Sequence, residues 1–92
     1  MSRYSTESID RLFRTITNIQ TPEECRSFFE DLCTVNELKA MAQRWQVARL
    51  LDEKKTYTEI EAETGVSTAT ISRINRCLVY GAEGYKRVLD KK

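Results

Sequence analysis

Histidine is absent from this 92-residue chain, and its three cysteines, Cys25, Cys33 and Cys77, form no Cys-x-x-Cys pair. Without imidazole, the commonest general base and the commonest metal ligand are both missing. An odd, scattered set of thiols suits neither a disulfide framework nor a zinc site, so reduced cysteines and no metal are expected. Proline occurs once and glycine three times, and no alternating apolar run announces a strand, which points to an all-α fold. No apolar stretch reaches membrane-spanning length and no signal peptide is visible; a cytoplasmic protein with no membrane contact is expected. A Gly-rich phosphate loop and a nucleophile–base set are also missing, so the chain does not read as an enzyme.

What is present is a globular composition, 40% apolar and 32% charged, in a length that allows one small domain with a limited core. The net charge of +1 is uninformative, but its distribution is not. Residues 1–65 carry nine basic and twelve acidic side chains, whereas residues 66–92 carry six basic (Arg73, Arg76, Lys86, Arg87, Lys91, Lys92) and two acidic (Glu83, Asp90). A positive second half suits phosphate contact, where Lys and Arg displace condensed counterions. A solvated tail explains Lys91 and Lys92 equally well.

The segment TYTEIEAETGVSTATISRINRCL, residues 56–78, reads as two short helices hinged at Gly65. Thr56 with Glu59 three residues on is a capping box that opens the first. Ile60 and Ala62 supply its apolar positions, and Gly65 ends it by tolerating φ > 0. Val66 is expected to be buried, and Ser67 to cap a second helix. Ile71, Ile74 and Leu78 form the apolar face of that helix, with Thr68, Ala69, Ser72, Arg73 and Arg76 on the other. This is helix-turn-helix spacing, whose second helix enters the DNA major groove. Glu61 departs from it, standing where a small residue usually lets the helices approach. A plain helical hairpin shows the same glycine turn and apolar faces, so both readings stand on the residues alone.

Upstream, Ile9, Leu12, Phe13, Ile16 and Ile19 predict a helix over about 7–19, capped by Thr6 or Ser5. Thr21-Pro22-Glu23-Glu24 opens a second, with Pro22 at its first position and Glu24 closing a box on Thr21. Thr34 and Glu37 open a third over about 35–53. There Leu38, Met41, Trp45, Ala48 and Leu51 make one stripe, and Ala40, Val47 and Leu50 widen it. So wide an arc is buried on more than one side, and a second subunit is one source of the extra surface. Trp45 is assigned to packing. Residues 52–55 form a charged linker in which Lys54 and Lys55 either meet phosphate or face solvent. A last helix over 82–90 packs Tyr85, Val88 and Leu89. The organisation expected is one domain, 1–92: a dimerisation scaffold (7–53), the helix-turn-helix (56–78) and the C-terminal helix.

Three runs, LCTVNELKAMAQRW, RLLDEKKTYTEI and ETGVSTATISR, resemble the tryptophan-repressor superfamily, most of all its YerC/YecD-type branch, over residues 32–89. Gly65, Ala69, Thr70, Ile71 and Arg73 match its turn and second helix. The resemblance implies an intertwined, all-helical homodimer that offers two hinge motifs to successive major grooves of a pseudo-palindromic operator in double-stranded DNA. It implies a bacterial, nucleoid-associated transcription regulator, a repressor by analogy. Residue by residue, it places Tyr57, Thr58, Ser67, Thr68, Ala69 and Ser72 against DNA. Charge and helical face add Arg76, and Arg73 is either a DNA contact or held internally by carboxylates. In the repressor the arginine matched by Arg73 lies against bound tryptophan and a glycine follows it; here Ile74 follows. The ligand-side serine corresponds to Cys77, while Thr70 persists and Arg44 stands near a second ligand arginine. Tryptophan is therefore not expected as corepressor, and no cofactor is expected. A different reading is a helical protein–protein interaction module, supported by Glu59, Glu61 and Glu63 on the first hinge helix, which would repel phosphate.

Overall fold

The computed structural model describes residues 6–91, which contain six α-helices and no strand: α1 (Thr6–Thr17), α2 (Pro22–Leu32), α3 (Val35–Asp52), α4 (Tyr57–Thr64), α5 (Thr68–Tyr80) and α6 (Gly84–Leu89). The all-α expectation holds. Backbone contacts group the chain into two units, residues 1–38 and 39–92.

In the first unit the threonine signals set the helix starts. Thr34 and Glu37 make a reciprocal capping box: the Thr34 N–H donates to Glu37 Oε1 at 2.7 Å and the Glu37 N–H to Thr34 Oγ1 at 3.1 Å. At α2, Thr21 Oγ1 accepts from the Glu24 N–H at 3.0 Å, with Pro22 at the first turn. The Glu24 carboxylate, expected to close the box on Thr21, instead takes the Gln20 N–H at 3.1 Å. Thr6 is already helical, which removes it as the cap of α1; the alternative, Ser5, lies outside the described residues. The helix ends two residues short of Ile19, where the Asn18 and Ile19 N–H groups turn back to the Thr15 and Ile16 carbonyls, both at 3.1 Å. These are three-residue bonds that tighten and stop a helix.

No residue of α1 or α2 is buried. Phe28 and Phe29 meet edge to face at 5.5 Å, while Phe13 remains 57% exposed, Leu32 48% and Val35 67%.

The second unit has a core, formed by Val47, Ala48, Leu50, Ile60, Val66, Ile71 and Ile74. Its α3 members are mostly the flank, Val47 and Leu50. The expected central stripe is less enclosed: Trp45 and Leu51 are only partly buried against the core, and Trp45 stacks on Tyr85 at 6.3 Å. Ile60, Ile71 and Val47 are fully enclosed, each worth about 1.5–3 kcal/mol in apolar transfer.

α3 closes in a way the linker reading did not foresee. Lys54 adopts φ 68, and the Lys54 and Lys55 N–H groups bond the Leu51 and Leu50 carbonyls at 3.0 and 3.1 Å. That paired closure normally uses glycine, because a Cβ in the left-handed region costs about 1–2 kcal/mol. Glu83 adopts the same φ of 68, which delays α6 to Gly84 rather than 82. Within α6, Leu89 is buried as expected, but Val88 is 54% exposed. No helix among the described residues is long and apolar enough to cross a membrane.

Candidate nucleic-acid interface

The hinge is built from α4, a three-residue turn and α5. At the start of α4 the Thr56 N–H donates to Glu59 Oε1 at 2.8 Å and the Glu59 N–H to Thr56 Oγ1 at 3.1 Å. The Thr56 backbone N–H, then its hydroxyl, hold the Glu59 carboxyl below the usual carboxylate range, with a smaller contribution from Lys55. Gly65 takes φ 75, ψ 5 and returns its N–H to the Glu61 carbonyl. Nothing lies within 4 Å of a Cβ built there, so backbone conformation rather than space demands glycine.

Thr64 supplies a lock that the sequence reading missed. Its Oγ1 donates to the Ile60 carbonyl at 2.7 Å and accepts the Val66 N–H at 3.2 Å, tying both sides of the turn to α4. The available signal was a hydroxyl one helical turn after Ile60 and directly before the glycine. Val66 is 6% exposed, as expected of the turn residue. Ser67 caps α5, its Oγ accepting the Thr70 N–H at 3.3 Å.

Ile71 and Ile74 then bury one side of α5 in the core, which settles the orientation of the other side. Leu78 is only half-buried, and Ala62 on α4 is exposed. Glu61 is exposed too, so the bulk that departed from the usual spacing points to solvent while α4 and α5 still pack together.

Of the residues proposed to face DNA, Thr58, Ser67, Thr68, Ala69, Ser72, Arg73 and Arg76 are exposed. Tyr57 is half-buried and packs on the core, so its ring has a structural duty of its own. Ala69, Ser72, Arg73 and Arg76, one helical face at spacings of three and four, line a single shallow depression. Neither arginine is in an ion pair among the described residues. Among the described residues no carboxylate pairs with Arg73, so the alternative of an internal carboxylate finds no partner there.

At the positions that the resemblance sets beside a ligand, Ile74 is 3% exposed and part of the core, and Cys77 is exposed. Arg44 is exposed. The Thr70 hydroxyl accepts from Ser67 Oγ at 3.2 Å.

This arrangement has close counterparts. The uncharacterised protein YerC of Bacillus subtilis (strain 168) is 53% identical over 85 residues, 92% of this chain and 82% of that protein. A crystal structure of a TrpR-like protein from Eubacterium eligens superposes with a TM-score of 0.90 at 46% identity, covering 95% of this chain and 90% of the other. A second crystal structure, from Staphylococcus aureus, gives 0.88 at 46% identity, with 95% and 87% covered. The model of the family described as Trp repressor protein matches residues 7–92. Hinge, core and recognition face therefore have one explanation: the chain belongs to the Trp repressor family of helix-turn-helix DNA-binding regulators.

Proposed function

We propose that this chain is a sequence-specific DNA-binding repressor of transcription, acting as a homodimer in the cytoplasm at the nucleoid. The observation that carries the reading is α5 itself. Ile71 and Ile74 clamp one side into the core, and Thr68, Ala69, Ser72, Arg73 and Arg76 stand free on the other. Small side chains there let the helix approach base edges, where methyl contacts and bridging waters contribute to readout, while arginines provide charged donors. The dimer is supported by α1 and α2, in which no described residue is buried and Phe13 and Leu32 are exposed, and by Val35, exposed at the start of α3. A second copy supplies the missing apolar surface.

A twofold assembly with half-sites about one helical turn apart, roughly 10 base pairs, recognises a pseudo-palindrome. Selection of fragmented host genomic DNA by purified protein tests this. Enriched fragments sharing a pseudo-palindrome with that spacing are expected; enrichment of an unsymmetrical motif removes the dimer reading.

The exposed Glu61 and Glu63 on α4 favour one rival, a protein-binding module in which the hinge is only structural. That rival predicts no affinity for duplex DNA even at low salt, whereas the regulator binds.

Tryptophan is not the corepressor in this reading. The Ile74 side chain belongs to the buried core cluster and is 3% exposed, so an indole ring would have to displace it. Isothermal titration with L-tryptophan is expected to give no saturable heat. Saturation in the micromolar range overturns the claim.

A further inference from the structure

We infer that the depression on α5 lined by Ala69, Ser72, Arg73 and Arg76 is a phosphodiester notch, in which two arginines of one protomer share one DNA phosphate; the inference rests on the DNA-binding reading above. Arg73 and Arg76, one helical turn apart, line the same hollow, and neither is paired with a carboxylate among the described residues. No acidic side chain lines it. Two cations side by side repel unless an anion lies between them. A guanine edge offers two acceptors, O6 and N7, but no charge. A phosphate offers two unbridged oxygens and a full negative charge, so it can accept from both arginines at once, and short charge-assisted bonds are the strong ones. The Ser72 hydroxyl adds a third donor, and the Ala69 methyl leaves the hollow open.

The division of labour on α5 follows from this. Its second and third turns grip the backbone and set register, while base readout falls to the exposed residues nearer its N-terminus, Thr68 and Ala69.

The test compares wild type, Arg73→Ala, Arg76→Ala and the double variant on two probes, a duplex enriched from genomic DNA and a random-sequence duplex of the same length. Circular dichroism verifies that the variants fold, as exposed arginines allow. A phosphate contact weakens binding to all sequences alike and flattens the salt dependence by about 0.9 in log–log slope for each phosphate lost. Each single variant is expected to lose a similar factor, roughly tenfold, on both probes with little change of slope, because the remaining arginine still holds the phosphate, and only the double variant to flatten the slope by about 0.9 for the phosphate that each protomer loses. Slope changes that add in the double variant overturn the sharing of one phosphate. A loss confined to the enriched duplex overturns the notch in favour of a base contact. Absence of wild-type binding to either probe at low salt removes the DNA reading itself, and this inference with it.

Discussion

Ile71→Ala is expected to lower stability by about 2–5 kcal/mol, the cost of an empty space in a core that relaxes only partly. Ile71 is wholly enclosed, in one core cluster with Val47 and Ala48 of α3 and Ile60 of α4. A domain of this length has only about 5–14 kcal/mol of total stability, so the variant loses a large share of it. Urea denaturation at fixed protein concentration gives the number, the concentration being held because association contributes to the apparent value. The midpoint should fall with the slope unchanged. A loss below about 1 kcal/mol, well under the range for a buried isoleucine, would mean that α5 is not positioned by this contact. The change should also weaken DNA binding, because a loosened α5 no longer holds its exposed side in one orientation.

Ala69→Glu separates folding from binding. Ala69 is exposed in the first turn of α5, a turn with no acidic residue of its own. A carboxylate there meets the positive end of the helix dipole and should leave stability unchanged or raise it by about 0.3–1 kcal/mol. On DNA the same carboxylate faces the negative surface of the groove, where like charges brought together cost several kcal/mol. A drop in affinity of roughly 100-fold or more is expected, which is about 2.7 kcal/mol. Denaturation and duplex titration on one preparation measure both effects. Preserved affinity would take Ala69 out of the interface.

Most of the fold could be read from local signals, and the exceptions have physical causes. The boxes at Thr34 and Thr56 were readable because both partners lie within four residues and need no tertiary help. Gly65 was readable because a left-handed turn selects glycine. The left-handed Lys54 and Glu83 were not, since neither is a residue type that local preference places in that conformation; Glu83 is why the start of α6 was misplaced. Periodicity showed that α3 is apolar over a wide arc, but only packing decides which part of an arc closes. The core chose Val47 and Leu50 and left Trp45 partly open.

The same contrast holds at the candidate interface. Exposure of Thr68, Ala69, Ser72, Arg73 and Arg76 follows from burying Ile71 and Ile74 on the opposite side, and helical spacing alone yields it. That four of these residues line one hollow depends on side-chain placement, which spacing does not supply. Thr64 escaped notice for a related reason, its hydroxyl bridging two backbone groups across a turn whose geometry a linear reading does not contain.

The whole account depends on α5 being a surface that meets duplex DNA. Equilibrium titration of the wild-type protein against duplex DNA over a range of salt concentrations measures that directly. The account predicts tight binding at low salt that weakens linearly in log–log form, with a slope of several units as phosphate contacts from both protomers release counterions. A protein that shows no affinity for duplex at the lowest salt, or an affinity indifferent to salt, would contradict it.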